Sequence, residues 1–307
     1  MLLVFPAVGV HLVLTVPEWG ITLIPVAGIW TLGLSALLGL IAWKQRAATA
    51  WAAVAGAAIA ASITFSTLSD NDYRFYRPWR TAMVPLVVLM ALTSLATRLG
   101  RARKEQLGTA EKRHGRAPAQ VAANLGMATL ASMFVVLLWL ERLGVLQLSF
   151  FHVHGISGTF WTSTLPFTVG LAALAESAAD TVSSEVGQVL GGIPRMIITL
   201  RAVEPGTDGA ISLLGTLAGT LTGAAVAAAG TFALAGGWEM FLIATAAGVF
   251  GLLFDSVLGA TVERRGWLNN DAVNFLSTAA ASAFALALLA ILPHLASVKV
   301  LPSTIAR

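Results

Sequence analysis

Cysteine is absent from this chain of 307 residues. Its absence excludes a disulfide framework and any Cys-ligated metal centre. Charge is scarce: Asp, Glu, Lys and Arg make up 11% of the sequence, against about 25% in soluble domains. No G-x-x-x-x-G-K-[ST] occurs, so there is no P-loop, and no G-x-G-x-x-G follows a strand-like run. No internal repeat and no separate soluble segment stand out. The N-terminal stretch MLLVFPAVGVHLVLTV lacks a basic n-region and an A-x-A site, so it is expected to be a first span and not a cleaved signal.

The chain has instead long apolar runs. Apolar residues make up 57% of the sequence, and the mean hydropathy is +0.80. Trp19–Trp43, Ala47–Ser69, Ala117–Leu140, Leu143–Ala175, Gly209–Trp238 and Ala272–Val298 are all uncharged. Each is long enough for the roughly 20 residues that cross a bilayer core. The expected fold is an all-α polytopic integral membrane protein, a Gly/Ala-rich bundle forming one integral membrane domain over 1–307. Small residues suit close helix packing in lipid. About nine spans fit the gaps, with eight possible: about 1–16, 21–43, 49–68, 81–97, 118–140, 156–178, 210–235, 239–261 and 271–293.

The formal charge of +4 and the pI near 10.0 come from the loops. Lys44 and Arg46 fall on one side of the membrane. So do Arg98, Arg101, Arg103, Lys104, Lys112, Arg113 and Arg116, then Arg195, Arg201, Arg264 and Arg265. The other side receives Arg74, Arg77, Arg80, Arg142, Lys299 and Arg307. The excess of basic residues places the first set in the cytoplasm. A multi-pass protein of the cell inner membrane with a cytoplasmic N-terminus is expected. Such loops report orientation, and no nucleic-acid partner is expected.

The cytoplasmic helix ends carry the polar residues. ESAADTVSSEVG holds Glu176, Asp180 and Glu185 directly after an uncharged run. At about 100° per residue, Asp180 and Ser184 share a helix face, while Glu185 lies about 140° from Asp180. Either the helix breaks here, as Ser183, Ser184 and Gly187 permit, or the acids serve different partners. Oxygen ligands at a helix end suit Mg²⁺, which takes one or two carboxylates plus substrate phosphate. Asp255 lies inside GVFGLLFDSVLGATV, between Gly251 and Gly259 on the same face. A lone acid at that depth must face a partner, a metal or water. PGTDGAISLLG supplies Gly206, Thr207 and Gly209 before another span, with Thr207 or Asp208 expected as N-cap. Amides at such a helix start bind phosphate. Gly215, Gly219 and Gly223 are expected to pack helices. Gln120 and Asn124, and again Asn270 and Asn274, are four apart in the first turns of two further spans. Five helix ends thus converge on one membrane face.

The blocks GRAPAQVAANLG, AESAADTVSSEVG, VEPGTDGAISLLGTLAG, GLLFDSVLGATVERRG and NNDAVNFLS resemble, in order, those of the integral membrane family labelled domain of unknown function 92. That family includes plant phytyl-phosphate kinase. The resemblance covers about 98–280. It implies transfer of a phosphoryl group from a nucleoside triphosphate, with CTP favoured, to an isoprenyl monophosphate held at the lipid bilayer. The residues agree with that chemistry: Asp180, Glu185 and Asp255 are expected in catalysis and as ligands of one or two Mg²⁺ ions. Phosphate would be held by Arg113, Arg116, Gly206, Thr207 and Gly209. Gln120, Asn124, Ser184, Asn270 and Asn274 would contact substrate. An ion-coupled transporter, or a CTP-dependent lipid cytidylyltransferase, is the alternative expectation.

Overall fold

Helices account for almost all of the regular structure, as uncharged runs in lipid require, because backbone groups there must be satisfied within the segment. The computed structural model describes residues 4–17, 25–68, 76–108, 115–133 and 158–298. Among them the order is α1 (Val4–Pro17), α2 (Pro25–Lys44), α3 (Ala50–Phe65), α4 (Met83–Arg98), α5 (Arg101–Leu107), α6 (Pro118–Ser132) and α7 (Gly158–Leu190). A two-residue strand pair, β1 (Arg195–Met196) and β2 (Ala210–Ile211), follows. Then come α8 (Leu213–Ala233), α9 (Trp238–Leu258) and α10 (Asn270–Val298). Each of the nine expected segments contains a helix. Four helical stretches are long and apolar enough to cross a bilayer: Ala27–Lys44, Leu213–Ala233, Trp238–Glu263 and Asn270–Ile291. The pair α4 and α5, bent by 64°, makes a fifth if it counts as one span. Arg74, Lys112, Arg113, Arg142, Lys299 and Arg307 lie outside the described residues.

The 33-residue helix α7 is the axis of the bundle, touching α4, α6, α8, α9 and α10. Leu171, Ala172, Ala173, Leu174, Ala175, Ala178 and Ala179 are fully buried along it. The expected glycine ridge sits here. A Cβ on Gly219 would lie 2.6 Å from Ala179 O, and one on Gly223 3.1 Å from Ala175 O. Glycine every fourth residue therefore lets the backbones of α7 and α8 touch. Gly248 of α9 does the same on another side of α7, 3.0 Å from Ala175 Cβ. Around the periphery Trp30, Trp51, Val54, Leu221, Phe232 and Trp238 are exposed. A surface of this kind is stable against acyl chains, not against water.

One open alternative is decided and one expectation is revised. The helix does not break at Ser183, Ser184 or Gly187 but runs unbroken to Leu190. Neither Thr207 nor Asp208 caps α8. Ser212 does, its hydroxyl accepting from Gly215 N at 3.2 Å. The reason is the strand pair: Arg195 pairs with Ile211 and Met196 with Ala210, so 210–211 are extended and the helix begins later.

Candidate functional site

Where α6, α7, α9 and α10 meet the 205–212 segment, a polar cavity of about 390 Å³ opens. Asp180, Ser184 and Glu185 reach it from α7, Asp255 and Ser256 from α9, and Asn270 and Asn274 from α10. Gln120 and Asn124 line it from α6, Arg116 from the segment before α6, and Gly206, Thr207, Asp208 and Gly209 from the turn before β2. Every described residue given a catalytic, phosphate or substrate role from sequence lines this cavity, and Arg113 lies outside the described residues. Sequence reasoning did not single out Glu263, Gln188 or Ser212, which also line it.

Each wall has a local cause. Pro118 opens the first turn of α6, and the Gln120 side chain turns back to accept from Ala117 N at 2.8 Å. One turn on, Asn124 donates to Gln120 O at 2.7 Å, while its Oδ1 accepts from Ser177 of α7 at 3.4 Å and from Asn274 of α10 at 3.5 Å. Asn124 thus ties three helices at the cavity floor. Asn269 caps α10, accepting from Ala272 N at 2.9 Å. Past Leu258, α9 widens into a π-helical turn over Gly259–Glu263, a distortion often found at functional sites. The 205–209 turn seats against it. Gly209 has φ +75, and a Cβ there would strike Ala260 Cα at 2.5 Å. Thr207 N and the Thr207 hydroxyl both donate to Glu204 O, at 3.2 and 2.7 Å. Neither Thr207 donor is therefore available to a phosphate.

The electrostatics are one-sided. Among the described residues, Asp180, Glu185, Asp208, Asp255 and Glu263 line the cavity against one cationic side chain, Arg116. The Arg116 guanidinium donates to Thr181 Oγ1 at 3.4 Å and lies close enough to Asp180 to attract it. Behind the cavity, one turn deeper on α7, Glu176 is 1% exposed. Gly251 makes its room: a Cβ there would sit 2.5 Å from Glu176 Cγ. Ser277 of α10 lies beside both the Glu176 and Asp255 carboxyls. Glu176 Oε1 and Asp255 Oδ2 are buried with no hydrogen-bond partner among the described residues. Buried acid oxygens of that kind call for a cation, a proton or water.

Asp180, Glu185 and Asp255 line one cavity but do not stand together as a single ligand set. Among the described residues no group of three or more His, Asp or Glu is arranged to hold a metal ion. Glu185 is turned to Lys104 of α5, which is 1% exposed and also donates to Ala96 O and Thr97 O at 3.0 Å. The 140° offset on an unbroken helix is the reason: Asp180 faces α9 and Glu185 faces α5. Asp180 and Asp255 remain as acids on facing helices. They fit an ion that takes one or two carboxylates and completes its shell with water and phosphate.

The profile of the family described as Integral membrane protein DUF92 matches residues 33–282, and the chain belongs to that family. It is 44% identical over 108 residues to an uncharacterized membrane protein, MJ0933, of Methanocaldococcus jannaschii, covering 35% of this chain and 45% of that one. It is 31% identical over 216 residues to the uncharacterized membrane protein sll0875 of Synechocystis, covering 68% and 73%. It is 27% identical over 233 residues to the chloroplastic protein VTE6 of Arabidopsis thaliana, covering 74% and 63%. The chain thus spans less than half of the first of these relatives and under two thirds of the third. No solved structure matches.

Proposed function

We propose that this chain is a membrane phosphotransferase that makes an isoprenyl diphosphate from the monophosphate and a nucleoside triphosphate, with CTP the favoured donor. One observation carries the reading: five acids and one arginine share a 390 Å³ cavity with a glycine-containing turn. Such a cavity repels a polyphosphate that comes alone and accepts one that comes with divalent cations. The likeness to VTE6 and the family's plant phytyl-phosphate kinase support the acceptor class.

In the reaction a phosphate oxygen of the acceptor forms a bond to the terminal phosphorus of the donor. The bond from that phosphorus to the bridging oxygen breaks, and a nucleoside diphosphate leaves. Little covalent chemistry falls to the protein, so positioning and charge stabilisation dominate. Mg²⁺, when bound, neutralises charge on the phosphate oxygens. Asp180 and Asp255 would hold it from facing helices. Arg116 covers the equatorial oxygens of the transferring group. Asn124 and Asn274 face the substrate phosphates from the floor. All nine helical segments cross the membrane in this reading, with the cavity on the cytoplasmic side, where nucleotides are present.

Purified protein in detergent should convert phytyl monophosphate to the diphosphate with labelled CTP and Mg²⁺. Chelating the metal should stop it. Asp255→Asn and Asp180→Asn should each lower turnover by about 100-fold or more while the protein stays folded, the scale of losing one charge-stabilising group. Full activity in either variant shows that residue to be structural.

A second reading, ion-coupled transport, draws on Glu176. A buried acid whose Oε1 has no hydrogen-bond partner among the described residues, deep in a Gly-rich bundle, also suits a coupling ion. Transport would need a sealed vesicle and would leave its substrate chemically unchanged. Solute uptake abolished by Glu176→Gln, with prenyl phosphates untouched under every nucleotide, would favour it.

A further inference from the structure

A second cavity, about 170 Å³, lies on the other side of Arg116, between α2, α3, α4 and α6. Its walls are apolar, with Leu86, Leu89, Val121 and Leu125 among them. Its mouth is basic: Arg46, Arg98, Arg101 and Arg116 all line it. Arg101 is paired with Glu105 at 3.1 Å, and Arg98 donates to Gln45 Oε1 at 3.1 Å. Neither Arg46 nor Arg98 forms an ion pair among the described residues. Arg46 is held at φ 57 in the turn between α2 and α3, a conformation that costs a non-glycine residue energy and persists where the surroundings fix it. Arg116 lines both this groove and the acidic cavity.

We propose that the groove is the binding site for the acceptor lipid: one apolar chain lies between α3, α4 and α6, and its single phosphate is held at Arg46 and Arg98, beside Arg116. The ligand class follows from the chemistry of the two ends. Apolar walls require a hydrocarbon, and an arginine mouth requires an anion that takes forked hydrogen bonds. At about 170 Å³ the groove is smaller than the roughly 300 Å³ at which sites for drug-sized ligands begin. A groove of that size has no room for two chains. Arg116 then marks where the lipid phosphate meets the acidic cavity. The inference rests on the phosphotransferase reading only for the identity of the acceptor.

The test is equilibrium displacement of labelled phytyl monophosphate from the full chain in detergent. Gly56 lines the groove, and a Cβ there would meet only Val121 Cγ1, at 3.6 Å. A Cβ at position 56 therefore has room, and Gly56→Leu places its side chain in the groove. It should weaken phytyl monophosphate binding by about tenfold or more. Arg98→Gln, at an exposed position, should also weaken it, and keeps the test open if Gly56→Leu does not fold. Asp255→Asn should leave this binding unchanged. Phytol and inorganic phosphate, each half of the ligand, should compete poorly. Unchanged affinity in both Gly56→Leu and Arg98→Gln overturns the proposal. So does displacement by dioleoyl phosphatidic acid as strong as by unlabelled phytyl monophosphate, which makes the groove a seat for bilayer lipid. Binding weakened by Gly56→Leu without turnover under any nucleotide would sink the phosphotransferase reading and leave the groove standing. Turnover with an unchanged KM for phytyl monophosphate in Gly56→Leu would do the reverse.

Discussion

Gly115 decides where Arg116 can stand. Its φ is +78, and a Cβ on it would lie 2.5 Å from Arg46 O and 2.6 Å from Ala48 N. Only without that atom can 115–117 lie along 46–49, where Arg116 N donates to Ala47 O and Thr49 N to Arg116 O, both at 3.0 Å. Gly115→Ala adds left-handed strain and a backbone clash together. It should cost about 1–3 kcal/mol, read as a lower thermal midpoint in detergent, and should shift Arg116 off both cavities. Arg116 was legible in the sequence as a basic residue at a helix start, but the reason for the glycine before it was not, because the partner backbone is some 70 residues away. Glu176 shows the opposite limit. It sits four residues before Asp180 and reads as another acid at a helix end. Its burial depends on Gly251 of a different helix, which one sequence cannot place beside it.

At the scale of the element, the continuity of α7 separates the roles of its acids. A break near Ser184 would have let Asp180 and Glu185 turn to one point. The unbroken helix sends Glu185 to Lys104 instead. Nothing marks Lys104 among the basic residues of RARKEQL, since a loop lysine and a buried one share a residue type. Its burial follows from the 64° bend between α4 and α5, made at Gly100 with φ +58. The bend brings the Lys104 ammonium back onto the carbonyls of Ala96 and Thr97. Removing one partner of a buried pair strands the other charge. Lys104→Met should therefore cost about 3–5 kcal/mol. The double variant Lys104→Met/Glu185→Gln should regain most of that, because no charge is left uncompensated. Thermal unfolding of the four proteins in a double-mutant cycle measures the coupling. If the double variant is as unstable as the single one, Glu185 has a partner in the cavity that matters more than Lys104. The helices themselves were legible because period and length are local properties. The cap at Ser212 and the π-helical turn at 259–263 were not, since both are set by the strand pair and by the seating of Gly209 on Ala260.

At the scale of the molecule, α8 measures the distance between the two faces. It starts at Ser212, on the wall of the acidic cavity, and runs 21 residues, about 30 Å at 1.5 Å per residue. That is the thickness of a hydrocarbon core. At its far end Arg80 donates to Phe232 O at 3.0 Å and lies over the Phe232 ring. Arg77 and Arg80 are thus a membrane thickness away from Arg116, while α5 sits on the cavity side through Lys104 and Glu185. Among the described residues, Arg77 and Arg80 of one expected group and Lys104 and Arg116 of the other fall at opposite ends of one helix. The absence of cysteine makes the orientation directly measurable. Arg103→Cys on α5 and Arg77→Cys at the other end each introduce one thiol at an exposed position. In right-side-out vesicles a membrane-impermeant maleimide should label Arg77→Cys at once and Arg103→Cys only after permeabilisation. That result puts the acidic cavity in the compartment that holds nucleoside triphosphates. The reverse pattern turns the cavity outward, away from any such donor. The phosphoryl-transfer reading would then fail whatever the geometry of Asp180 and Asp255, and the buried Glu176 would have to be explained by an ion crossing the bundle.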